Sequence, residues 1–156
     1  ARAAGEKVKL ASANSINIAR LIPQTFYYYF AIGHAGGGKV ISVPSGNLGN
    51  ITAAAIAWRS GLDISNLVAA TNVNRAVPDY LRTGTFSPAP SVATIANAMD
   101  VGNPGNFDRL RRVFDNDYSR FSGAVSGYWF DDDTIREHIR KNDTLDHATQ
   151  PPYRAA

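Results

Sequence analysis

Val40-Ile41-Ser42-Val43-Pro44-Ser45-Gly46-Asn47-Leu48-Gly49-Asn50-Ile51-Thr52-Ala53-Ala54-Ala55-Ile56-Ala57-Trp58 is the stretch that decides the fold. Val40–Val43 reads as a short buried strand, Pro44–Asn50 as a glycine-punctuated turn, and Ile51–Trp58 as an alanine-rich helix ended by Gly61. A second short apolar run, Leu67–Ala70, suits a parallel strand, and Arg75–Arg82 has helical spacing. Strand, helix and strand within roughly thirty residues make a βαβ unit. The expected class is therefore α/β, a three-layer arrangement of a parallel sheet flanked by helices.

Working outward, Lys7–Leu10 suits a strand and Ser12–Asn17 a loop that ends in a helix N-cap. Ile18, Leu21, Ile22, Phe26, Tyr29 and Phe30 recur at helical spacing, with Pro23 predicting a kink or a late helix start. The aromatic run Phe26–Phe30 reads as core packing rather than as a stacking platform, and Gly33–Lys39 as the break after the helix. Residues 83–106, with Gly84, Pro88, Pro90, Gly102, Pro104 and Gly105, should be mainly loop, with a short helix at Ser91–Met99. Phe107–Phe114 is helical in pattern, and Asp132 or Asp133 can cap a helix over Thr134–Lys141. No repeat, low-complexity tract or linker divides residues 1–156, which read as a single partial domain containing the loop at 45–50.

Composition narrows the function classes. Sixteen basic and thirteen acidic residues among 156 give a net charge of +3, and Arg109, Arg111 and Arg112 read as a solvated helix face rather than a nucleic-acid patch. Without cysteine there is neither a disulfide framework nor a thiolate metal site, and His34, His138 and His147 lack paired-ligand spacing. No apolar run is long enough to span a bilayer, and the N-terminus lacks a charged region followed by an apolar core. The expectation is a soluble, cytoplasmic protein with no metal, nucleic-acid or membrane partner. Met99 is the only methionine, consistent with Ala1 not being the native start.

Two glycine loops compete to hold an anion. Gly33-His34-Ala35-Gly36-Gly37-Gly38-Lys39 approaches the nucleotide P-loop pattern, but Val40 cannot supply the metal-ligating hydroxyl. Its glycines also follow a helix and open a strand, the reverse of a P-loop, so it reads as a surface connection. Ser45-Gly46-Asn47-Leu48-Gly49-Asn50 has the right order, strand before and helix after. Glycine admits an anion closely and permits φ > 0, and the following helix adds unpaired N–H donors and the positive end of its dipole. The same residues also suit a plain strand-to-helix turn with Asn50 as N-cap. The residues alone leave both readings open.

Val43-Pro44-Ser45-Gly46-Asn47-Leu48-Gly49-Asn50 closely resembles the cofactor-phosphate loop of threonine synthases, pyridoxal-phosphate enzymes of the tryptophan-synthase-β-like class. The resemblance continues upstream in Asn14-Ser15-Ile16-Asn17-Ile18-Ala19-Arg20, similar to the family's N-S-I-N-x-x-R segment, followed by Gln24 and Tyr27–Phe30. Downstream it takes in Ala69–Asn74, Gly84-Thr85-Phe86-Ser87-Pro88, Ala96–Val101, and Gly127-Tyr128 with Asp131–Asp133. It covers about Lys9 to Asp146, and several colinear motifs are more specific than any one alone.

The resemblance implies pyridoxal 5'-phosphate as cofactor and conversion of O-phospho-L-homoserine and water to L-threonine and phosphate, in a monomer or homodimer. It assigns Gly46, Asn47, Leu48, Gly49 and Asn50 to the cofactor phosphate, chiefly through main-chain N–H groups. It assigns Ser15, Arg20 and Asn47 to the substrate phosphate. An arginine fork and a hydroxyl at a helix start suit that role, although Ser15 and Asn17 also suit helix capping and Arg20 a helix surface. The family's cofactor-bearing lysine stands in a Phe-Lys-Asp-like setting upstream of these motifs, and none of Lys7, Lys9, Lys39 and Lys141 has that setting. Its pyridine-nitrogen partner, near the family's C-terminus, is likewise unmatched, and the chain departs from the family after Leu145-Asp146. The chain accordingly reads as a central fragment with no assigned catalytic residue, inactive alone. Another pyridoxal-phosphate lyase or dehydratase of the same fold, or a non-catalytic phosphate-binding module derived from it, are the competing readings.

Overall fold

The computed structural model describes residues 17–149. In chain order the elements are α1 (Leu21–Ala35), β1 (Lys39–Pro44), α2 (Gly49–Arg59), β2 (Ile64–Thr71), α3 (Ala76–Thr83), α4 (Phe107–Val113), α5 (Tyr118–Ala124), β3 (Val125–Trp129) and α6 (Asp132–Thr149). Ser15, the strand expected at Lys7–Leu10 and most of the loop expected at Ser12–Asn17 lie outside the described residues.

The three strands form one sheet in the order β1-β2-β3, parallel throughout. Val43 pairs with Ala69 and Ala69 with Gly127, so the C-terminal ends of all three strands share one edge of the sheet. The α/β class and the parallel sheet flanked by helices are as the sequence predicts. The pleat separates two faces. Val43, Leu67, Ala69 and Val125 point into a core completed by α2, α3, α4 and α5. On the alternate face, Val40 and Tyr128 are 60% and 57% exposed and Val68, Ala70 and Ser126 are half-buried. Parallel sheets normally bury both faces; the core elements of this chain cover one.

The alanine-rich pattern of α2 has a packing cause. Ala53, Ala54, Ala55 and Ala57 are fully buried, because α2 lies against the sheet, α1 and α4 together. Small side chains let these backbones approach closely. Beyond it, Phe107 stacks on Phe86 at 3.8 Å between centroids, and Tyr80 meets Phe107 and Phe121 edge-on at 4.9 and 5.2 Å.

Four expectations are corrected. The helix over 18–32 starts late, as Pro23 implies, after a single 3-10 turn at Ile18–Arg20. Its buried stripe is Leu21, Thr25, Tyr28 and Ile32, whereas Phe26 and Phe30 are 64% and 69% exposed. Of the aromatic run, Tyr28 alone packs into the core. The helix also runs through Gly33 to Ala35 and stops at Gly36, whose φ of +81° suits glycine. Ser91–Met99 is extended apart from a 3-10 turn at Asn97–Met99. Main-chain N–H groups that a helix would need are taken by side chains: Val92 donates to Asn74 Oδ1, Thr94 to Asp100 and Ile95 to Asp132. Asp132 being engaged there, Asp131 caps α6 by accepting from Thr134 N–H at 2.8 Å.

Candidate functional site

The turn between β1 and α2 sits at the C-terminal edge of the sheet, where open α/β sheets place their ligands. Ser45 ties it to the neighbouring strand, its N–H donating to Ala70 O at 2.7 Å and its hydroxyl to Val43 O at 2.8 Å. Leu48 then adopts the left-handed conformation, φ +60° and ψ 13°, with its side chain 3% exposed in the core. That conformation disfavours a β-carbon, and strain of this kind gathers at functional sites. The expected positive φ therefore falls on Leu48 rather than on Gly46 or Gly49.

Gly46 is needed for a different reason. A β-carbon there would lie 2.7 Å from Ala98 O and 3.0 Å from Met99 Cα, so the main chain of the segment 96–101 abuts the turn. From the other side, Gly105 N–H donates to Asn47 Oδ1 at 2.5 Å and Asn106 Nδ2 to Asn47 O at 2.9 Å. Asn106 is fully buried and accepts from Arg109 at 2.7 Å. The turn is thus braced along its length.

The first main-chain bond of α2 runs from Thr52 N–H to Leu48 O at 3.0 Å. Among the described residues, the N–H groups of Gly49, Asn50 and Ile51 meet no acceptor, the usual state of a helix start. These donors, with the positive end of the helix dipole, make an anion-binding geometry. Asn50 does not act as N-cap: its side chain accepts from Tyr28 Oη, which also donates to Asn50 O at 3.2 Å, joining α1 to the start of α2. Burial pushes the Tyr28 phenol up to about 12.

Arg20 stands exposed at the junction of the 3-10 turn and α1, and makes no ion pair among the described residues. Its neighbours Ile18 and Leu21 line a groove with Thr52 of α2's first turn and with Arg109. Asn17 caps the 3-10 turn by accepting from Ala19 N–H at 3.0 Å. The rival glycine loop is structural: Gly38 N–H donates to Asp63 O at 3.0 Å, and a β-carbon at Gly37 would overlap the Asp63 carboxylate. Of the expected site residues, Gly46 to Asn50 form one turn at the sheet edge. The bracing residues Asn72, Thr94, Asp100 and Asn106 were not anticipated; the two asparagines Asn72 and Asn74 directly after an apolar strand were the available signal.

No family model matches the chain. In sequence it is 44% identical over 133 residues to threonine synthase of Haemophilus influenzae, covering 83% of this chain and 31% of that protein. It is 39% identical over 155 residues to threonine synthase of Escherichia coli, covering 94% and 36%. In structure it is similar to the crystal structure of the Escherichia coli threonine synthase, with a TM-score of 0.78 and 39% identity over 85% of this chain and 32% of that one. A pyridoxal-phosphate-bound threonine synthase from Brucella melitensis gives 0.77 and 25% identity over 88% and 35%. The chain thus spans about a third of the length of these relatives. No helix among the described residues is long and apolar enough to cross a membrane, and no group of acidic or histidine side chains there could hold a metal ion.

Proposed function

We propose that this chain is a segment of a threonine synthase and forms the phosphate-binding side of its active site. The whole enzyme would convert O-phospho-L-homoserine and water to L-threonine and phosphate. The observation that carries this reading is the turn Ser45–Asn50. It lies inside a similarity to threonine synthases that covers most of the chain, and it opens a helix whose first N–H groups meet no acceptor among the described residues. A phosphate fits that donor set: among the described residues no side-chain carboxylate is seen bonded to the turn's main-chain N–H groups, and the turn is fixed by neighbours on both sides.

Pyridoxal phosphate, when bound, supplies the electron withdrawal that lets protons leave the substrate's carbons. The chain's own part is binding and orientation. Gly46, Asn47, Leu48, Gly49 and Asn50 hold the cofactor phosphate, chiefly through main-chain N–H groups. Ser15, Arg20 and Asn47 take the substrate phosphate. Arg20 is exposed at the start of α1, and its guanidinium offers a charged fork to a phosphate, which supports that role. Asn47, anchored through Oδ1 and its carbonyl, bridges the two sites.

The test is Arg20→Ala in the full-length protein. Substrate binding should weaken by about 1.5–3 kcal/mol, as for a lost hydrogen bond to a charged group, with cofactor absorbance unchanged. Equal loss of cofactor and substrate would assign Arg20 to folding instead.

A further inference from the structure

Segment 89–102 crosses the C-terminal edge of the sheet as a closed strap: Ala89 N–H donates to Gly102 O at 3.1 Å and Gly102 N–H to Ser91 Oγ at 3.0 Å. Compact loops whose ends meet in this way are packed by their own side chains. Here the filling group is the Asp100 carboxylate, which accepts from Thr94 N–H at 3.0 Å, the Thr94 hydroxyl at 2.7 Å and Asn72 Nδ2 at 2.7 Å. Burial opposes ionisation of Asp100, but the Thr94 and Asn72 donors outweigh it and hold the carboxyl below the ordinary range.

Asn72, fully buried one residue beyond β2, makes the joint between strap and sheet. Its Oδ1 accepts from Asn74 N–H and Asn74 Nδ2, both at 2.9 Å. Asn74 in turn exchanges two bonds with Val92, at 2.7 and 2.9 Å. The strap is therefore fastened to β2, yet its far limb, at Ala98 and Met99, is what Gly46 rests against. A polar network at this depth holds one geometry only while every member is satisfied.

We infer that Asp100 is a positioning residue for the phosphate turn: by gathering the Thr94 and Asn72 donors it fixes the main chain at 98–99 against Gly46, and so sets where the turn's N–H groups converge. This rests on the phosphate reading above for its purpose, but its geometry can be tested separately. Asp100→Asn keeps the shape and turns an acceptor oxygen into a donor facing donors.

The experiment is amide hydrogen exchange on the full-length protein without added ligand, read at the hydrogen-bonded amides around the turn, Ser45, Thr52 and Gly105. Asp100→Asn should speed these about tenfold while Ile41 and Leu67 keep their rates. In the same protein, affinity for pyridoxal phosphate should fall about tenfold and affinity for pyridoxal, which lacks the phosphate, should hold. Unchanged exchange at the three amides, or a rise shared equally by the strands, overturns the inference. If Asp100→Asn does not fold, Thr94→Val removes the hydroxyl that donates to Asp100 and accepts from Asn72 and Ala96, and should speed exchange at the same amides; no effect at those amides is again contrary. A wild-type protein that does not distinguish pyridoxal phosphate from pyridoxal would overturn the phosphate reading alone, and the exchange data would still decide the role of Asp100.

Discussion

Tyr28 shows how one residue can serve both packing and the site. It is 7% exposed between α1 and α2, and its hydroxyl donates to the side chain and main chain of Asn50 at the start of α2. In the sequence it is hidden in a run of five aromatics, and periodicity favoured its neighbours. Burial raises its phenol from 10.0 to about 12. The folded state therefore keeps a proton that the unfolded state loses, and the stabilisation is present below pH 10 and lost as pH rises toward 12. Tyr28→Phe should cost about 1 kcal/mol at neutral pH, the typical worth of a hydrogen bond. It should also flatten that alkaline limb, as read from urea midpoints taken across the pH series. The left-handed Leu48 was not legible at this scale, because glycines on both sides offered a cheaper place for a positive φ. The turn itself was legible, since glycines between a β-branched run and an alanine run leave few alternatives.

At the scale of elements, α1 presents two apolar stripes and the core selects one. Leu21 is fully buried, whereas Phe26 is 64% exposed. Leu21→Ala should therefore destabilise chain 1–156 by about 2–5 kcal/mol. Phe26→Ser should stay within about 0.5 kcal/mol. Chemical denaturation of the two variants checks this, and the reverse ranking would mean that the other stripe is packed. The βαβ unit was readable because β1, α2 and β2 each end at a glycine or a polar cluster. By contrast, α5 passes into β3 without a turn, Ala124 ending one and Val125 starting the other. Gly127 further weakens the strand pattern; a β-carbon there would lie 3.0 Å from Pro78 Cα and Leu81 Cδ1 of α3. The strap was misread as helix because two of its competing acceptors, Asn74 and Asp132, lie 18 and 37 residues from the N–H groups they satisfy, and the third, Asp100, takes the Thr94 N–H from six residues on. Tertiary acceptors override local propensity where they satisfy the main chain first.

On the scale of the whole molecule, the described residues are built on one three-stranded parallel sheet. The chain spans about a third of the relatives it matches, one face of its parallel sheet carries the core, and the turn Ser45–Asn50 lies at the sheet's C-terminal edge. What the sequence made legible is the part whose logic is local: a strand, a glycine-punctuated turn and a helix. What it left hidden is the bracing, because Asn72, Asp100 and Asn106 act across dozens of residues. The proposed function depends on the turn Ser45–Asn50 holding a phosphate. The most direct measurement is the affinity of the full-length protein for pyridoxal phosphate against pyridoxal, under conditions that prevent covalent attachment. A phosphate held by several fixed N–H donors and a helix dipole should make pyridoxal phosphate bind at least about a hundredfold more tightly, roughly two charge-assisted hydrogen bonds. Equal affinities would contradict the account.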